Sequence, residues 1–82
     1  MRRRMPRFFF HLYNDVIAMD EEGIALPDLA TAKDAAIVNI RDILAAEAKE
    51  GRIALQHRID IADETGAVVA VVPFRDAVAV EG

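Results

Sequence analysis

Between Leu29 and Glu50 the chain has neither glycine nor proline and is dense in alanine, with Leu29 and Leu44 among its apolar positions. Alanine and leucine are the best helix formers, so this stretch predicts one long helix. Asp28, following Pro27, is placed to cap it, because its carboxylate can accept first-turn N–H bonds worth ~1 kcal/mol. Gly51 stands where a helix ends on a left-handed residue. Leu29, Ala32, Ala36, Ile40, Ile43 and Glu47 recur at steps of three or four, flanked by Ile37, Leu44 and Ala48. Lys33, Asp34, Arg41, Asp42, Lys49 and Glu50 fall mostly on the other side, so one wide stripe must lie against something flat. A single helix can cover only one face of a sheet, and that limit governs what the rest of the chain can do.

The flat partner is read on both sides of the helix. Arg7–Tyr13 and Val16–Asp20 predict two strands around Asn14-Asp15, a pair that suits a tight turn with positive φ. Asp20-Glu21-Glu22-Gly23 predicts a second turn, from which Ile24-Ala25-Leu26 leads into the helix. After it, His57–Ala62 alternates, with Ile59 and Ile61 opposite Arg58 and Asp60, as an edge strand with one wet face would. Asp63-Glu64-Thr65-Gly66 is a hairpin turn with Gly66 at a positive-φ position. Ala67–Phe74 is the last strand, with Pro73 near its end. The two acidic turns share a local pattern, Ile-Ala followed by acids and a glycine, which reads as a common turn solution.

The expected fold is therefore α+β: a small ββαββ domain, a four-stranded sheet with one long helix on one face. The first and fourth strands are apolar on both faces, which predicts the order 2-1-4-3 with those two in the middle. Residues 6–82 form the single domain, and residues 1–5 are a basic N-terminal extension expected to be disordered.

The uncovered face then becomes the informative problem. It would carry Phe9, His11, Tyr13, Val69 and Val71. Leaving three or four such apolar side chains in water forgoes roughly 5–10 kcal/mol, comparable to the ~5–15 kcal/mol stability of a whole domain. The expectation is an interface, made with a second copy in a homodimer or with another protein. The alternative is that Arg75–Gly82 folds back over this face, with Val78 and Val80 supplying the apolar cover.

Charge weighs against nucleic acid. Residues 1–7 hold four arginines, +4, while the remainder has 6 Lys/Arg against 14 Asp/Glu, −8, for a net −4. An acidic body repels phosphates, so binding to DNA or RNA would rest on a short arm and on Phe9 and Tyr13 as a stacking platform. The longest apolar runs are strand-length, far from the roughly 20 residues that span a bilayer. No secretory segment is legible at the start, so a cytoplasmic location is expected.

Catalytic chemistry has few candidates. The chain has no cysteine and no serine, and His11 and His57 stand 46 positions apart. His11 lies on the first strand with Asp20 or Asp63 as possible partners for a general base; a partly buried histidine bonded to a neighbour is the preferred reading. Tyr13 is read as an amphipathic strand-end residue. Asp15 with Asp20-Glu21-Glu22 does not match the twelve-residue calcium loop and reads as a solvated acidic turn. Gly23, Gly51 and Gly66 are isolated and make no phosphate loop. No catalytic residue, metal ligand, cofactor or small-molecule ligand is therefore assigned.

Three segments resemble a known family: Met5-Pro6-Arg7-Phe8-Phe9-Phe10-His11-Leu12, Asp20-Glu21-Glu22-Gly23-Ile24-Ala25-Leu26-Pro27-Asp28-Leu29, and Val72-Pro73-Phe74-Arg75-Asp76-Ala77-Val78. They resemble short, mostly alphaproteobacterial proteins catalogued as a domain of unknown function. Members open Met-Pro-Arg-Tyr-Phe-Phe-His and carry Asp-x-Glu-Gly-x-Glu-Leu-Pro-Asp before one helix. Phe8 here replaces the usual Tyr, and Ala25 the usual Glu. The resemblance covers Met5 to Gly82 and implies a start at Met5; it implies no activity, cofactor or catalytic residue. The expected function is a small cytoplasmic interaction or regulatory module that is not an enzyme and works through its sheet. An antitoxin-like, nucleic-acid-associated regulator is the second reading, and an enzyme of unknown class the third.

Overall fold

The computed structural model describes residues 4–81. Five strands and one helix follow in the order β1 (Arg7–Tyr13), β2 (Ile17–Ala18), β3 (Ile24–Ala25), α1 (Leu29–Lys49), β4 (Arg58–Ala62) and β5 (Val68–Pro73), closed by a 3-10 turn, Phe74–Ala77. The helix forms where its sequence requires. Asp28 is extended and its carboxylate accepts the Thr31 N–H at 2.8 Å and the Thr31 hydroxyl at 2.7 Å. At the other end Gly51 takes φ +89°, and its N–H reaches the Ala48 carbonyl at 3.0 Å.

All strand pairings are antiparallel, in the order β2-β1-β4-β5, and β3 pairs with β1. Two details differ from expectation. Ile24–Ala25, read as a connection, is a short strand beside Arg7 and Phe8, extended by the Leu26 N–H to the Pro6 carbonyl at 3.0 Å. The predicted order 2-1-4-3 is also corrected: Arg58–Ala62, expected at the edge, lies between β1 and β5, and the valine-rich last strand is the edge. Polar–apolar alternation reports that one face of a strand is uncovered, not that the strand lies at an edge. In a sheet covered on one side, a central strand alternates too.

The core lies between α1 and one sheet face. Ala32, Ala36, Ile40 and Leu44 are buried at steps of four against Phe8, Ile59, Ile61 and Val72, with Phe74 and Ala77 of the 3-10 turn. The methyl side chains of Ala32 and Ala36, both fully buried, let the helix axis approach the sheet closely. Phe10 and Leu12 pack at the margin of this core.

The two loops beside β1 explain much of the remaining sequence. Asn14-Asp15 does not use positive φ; among the described residues only Gly23, Gly51 and Gly66 do. That loop is instead pinned by Asn14, whose side-chain carbonyl accepts the Val16 N–H at 3.1 Å while its own N–H reaches the Val16 carbonyl. Gly66 behaves as expected, with φ +88°, and the Asp63 carboxylate accepts the Thr65 and Ala67 N–H groups.

The expected basic extension, residues 1–5, falls partly outside the described residues. Within them, the Arg4 guanidinium pairs with the Glu64 carboxylate, which also accepts the Arg7 N–H at 3.2 Å. Among the described residues no helix is long and apolar enough to cross a membrane.

Candidate interaction surface

The chain register fixes which side chains share the uncovered face. Phe9 pairs with Ala62 and Ala62 with Val68; His11 with Asp60 and Asp60 with Val71; Tyr13 with Arg58 and Arg58 with Pro73. These three rows project away from α1, because the intervening rows carry Phe10, Leu12, Ile59, Ile61, Ala70 and Val72 into the core. Strict alternation along β5 would turn Val68 inward with Val72. A bulge between Ile61 and Ala62 shifts the register, so Val68 joins the open face and Val69 is the inserted residue.

Of the predicted surface residues, Phe9, His11 and Tyr13 are half-buried, and Val69 and Val71 are exposed. Phe9, His11, Tyr13 and Val71 lie in the three open-face rows, and Val69 sits at the bulge. Val68 and Ile17, 53% and 65% exposed, extend the apolar area, Ile17 across from Tyr13. The C-terminal segment does not cover it. Ala77 is buried against the helix side, where its carbonyl accepts a 2.7 Å bond from Arg41 Nε, and Val78–Glu81 line an apolar groove with Leu44, Ile53 and Leu55. The alternative of a fold-back over the open face is thereby overturned for the described residues.

Sequence reasoning missed the centre of this face. Asp60 is the buried charged residue among the described residues, 8% exposed. It accepts from Arg58 Nε at 2.9 Å, and the Arg58 guanidinium stacks over the Tyr13 ring at 4.2 Å, a cation–π contact. The i, i+2 spacing of Arg58 and Asp60 was the available signal, since it puts both on one face of a strand.

His11 is engaged structurally. Its Nδ1 accepts the Asp20 backbone N–H at 3.0 Å, which leaves Nε2 as the protonated nitrogen of the neutral ring. The Asp20 carboxylate accepts the Phe10, Glu22 and Gly23 N–H groups at 3.0–3.1 Å. β1 pairs with β3 through Phe8 and with β2 from Leu12; the Asp20 side chain satisfies the Phe10 N–H in the gap between them. Asp20 and His11 thus stand in for a missing stretch of strand. Phe9, His11, Asp20, Glu21, Asp63 and Glu64 line an open groove of about 340 Å3 at this end of the face.

Burial alone would raise the Asp20 carboxyl, but the three N–H bonds outweigh it and His11 adds to them, so it lies below its ordinary 3.8. A carboxyl lowered in the folded state stabilises the fold above pH 3.8 and loses that contribution as pH falls through its folded value. In Asp20→Asn an amide N–H2 faces backbone donors. Urea titrations are expected to show a loss of about 1–3 kcal/mol at neutral pH. The difference from the parent should shrink below pH 3.8; a pH-independent difference would contradict the assignment.

A family model described as a domain of unknown function, DUF6894, matches residues 7–75. Neither a curated protein nor a solved structure matches the chain.

Proposed function

Since the chain belongs to the DUF6894 family, we propose that it is a small interaction module, binding a protein partner in the cytoplasm through the open face of its sheet. The observation that carries this reading is the uncovered apolar side of β1, β4 and β5, with Val68 and Val71 more than half exposed. The C-terminal segment, the nearest internal cover, packs on the helix side instead. An exposed apolar sheet face of this kind marks a binding surface or an aggregation liability. The free edge is blunted by the bulge and by Pro73, devices that oppose edge-to-edge pairing and leave the face itself available.

The test is the Val68→Lys/Val71→Lys double variant used as bait beside the parent chain. Both positions are exposed, so the helix signal in circular dichroism is expected to be unchanged while partner binding is lost. An identical set of partners for both baits would refute the reading.

The nucleic-acid reading draws on Arg58 over Tyr13, with Phe9 two rows away on the same face. Four carboxylates at the Phe9 end and Asp60 at the centre of the face weigh against it, because phosphate neutralisation dominates such binding. A steep loss of oligonucleotide affinity across a salt series would favour it.

A further inference from the structure

The Phe9 end of the open face is a trough with an apolar floor and an acidic rim. Ala62 stands between Phe9 and Val68 in its row, and Gly66 lies on the turn beyond it. These two residues, with little or no side chain, leave room for the groove of about 340 Å3 that Phe9 and His11 also line. The turns on either side supply the rim. Asp20, Glu21 and Glu22 on one, with Asp63 and Glu64 on the other, set five carboxylates against the two guanidinium groups of Arg4 and Arg7, a net of −3. Backbone bonds orient Asp20 and Asp63 without cancelling their charge. The Thr65 hydroxyl and N–H hold the Asp63 carboxyl below its ordinary 3.8, as backbone N–H groups hold Asp20, so both are ionised at neutral pH. Glu21 is exposed and has no hydrogen-bonding or ionic partner among the described residues. Arg4 already seats a guanidinium on Glu64, but with its side chain 79% exposed it stays at the rim and does not line the groove.

Resting on the reading of this face as an interface, we propose that the protein partner carries a basic segment, one arginine of which enters this groove. Its guanidinium lies over the Phe9 ring and bonds to Glu21 and Glu64. The chemistry of the groove selects that side chain. A planar guanidinium takes carboxylates in pairs of parallel bonds, which an ammonium cannot do. Above an aromatic face it gains further from the ring quadrupole, and its apolar stem suits the floor of Ala62 and Gly66. The volume is at the small end of the ~300–1,000 Å3 of ligand clefts, which fits one long side chain anchoring a segment rather than a broad docked surface. Arginine is a frequent anchor of this kind, in pockets ringed by groups that exclude water. A second copy of the chain has nothing comparable to offer from its own open face, where Arg58 is already paired with Asp60. Because the carboxylates sit at the rim, they also steer a basic segment toward the groove, and salt weakens that attraction.

The probe is a blocked hexapeptide of alternating arginine and valine, titrated into the isotope-labelled chain while backbone amide shifts are followed. Shifts are expected to centre on Phe9, Glu21, Ala62 and Gly66. The Glu21→Gln/Glu64→Gln variant, which removes two charge-assisted contacts, should bind the peptide at least about tenfold more weakly. A lysine–valine hexapeptide should bind the parent severalfold more weakly than the arginine one. The control is Asp34→Asn/Asp42→Asn, which removes the same two charges from the exposed side of α1 and should leave the affinity unchanged. An equal loss in the control overturns the inference, since the attraction is then to the acidic chain as a whole. Spermidine binding the same amides as tightly as the peptide also overturns it, because the groove is then a site for small polyamines. Used as bait, Glu21→Gln/Glu64→Gln should lose the partners that Val68→Lys/Val71→Lys loses. If it keeps them while the valine variant does not, the face stands as an interface and the basic segment falls. If both variants keep them, the inference and the reading fall together.

Discussion

Phe74→Ala is expected to remove ~3–5 kcal/mol of stability, the cost of emptying a fully enclosed aromatic site. Phe74 is 0% exposed and belongs to the same core as Ile40 and Ile61. The His57 ring meets it edge-on, with centroids 5.7 Å apart, and its own N–H holds the His57 carbonyl at 2.9 Å. Removing the ring leaves a cavity between the end of the sheet and the helix that rigid strands cannot close. A domain at ~0.05–0.15 kcal/mol per residue has about 4–12 kcal/mol in all, so the variant should be partly unfolded at 37 °C. Phe74→Leu, which keeps much of the volume, should lose less than half as much. Urea midpoints and far-ultraviolet dichroism measure both; a loss under about 1 kcal/mol for the alanine variant would show that the site collapses freely.

Gly23→Val should be about as damaging for a different reason. Gly23 has φ +66°, and a Cβ there would lie 2.7 Å from the Phe8 carbonyl oxygen, 2.9 Å from Arg7 Cγ and 2.9 Å from the Phe9 ring. Left-handed strain costs ~1–2 kcal/mol, and forcing atoms into packed backbone adds ~1–3 kcal/mol. The Phe8 oxygen cannot swing aside as the end of a long side chain would, since it belongs to a central strand. Gly51→Ala and Gly66→Ala are the controls. Both glycines have positive φ, but nothing lies within 4 Å of the added carbon, so only the strain of ~1–2 kcal/mol is expected. Thermal melts of the three variants should separate Gly23 from the others; equal losses would mean that β1 and the acidic turn shift apart easily.

The same contacts give a physical reading of the segment from Asp20 to Asp28. Asp20 holds three N–H groups, Gly23 admits the chain beside β1, Leu26 bonds to Pro6, and Asp28 caps the helix. Asp63 and Gly66 repeat the turn chemistry on the other hairpin. An acidic run that invites a search for a cation is, at Asp20 and Asp63, occupied by the protein's own backbone.

Sequence alone determined the helix, its caps, the face it buries and the strands on either side, because each of these follows from residues a few positions apart. It also determined that a sheet with one helix leaves a face uncovered. It could not place β4 inside and β5 outside. Alternation records which faces meet water, and lateral order depends on pairing between residues 45 to 53 positions apart in the chain, from Tyr13 with Arg58 to Phe9 with Ala62. Nor could it find the bulge that turns Val68 outward, the strand Ile24–Ala25, or the direction taken by Ala77, since each is settled by a bond to a distant residue. Tertiary structure decided that Asp60, which local pattern would set in water at an edge, is enclosed at the centre of the open face between Arg58, His11 and Val71. A charge buried there is tolerated because its hydrogen-bonding partner comes from two residues away on the same strand.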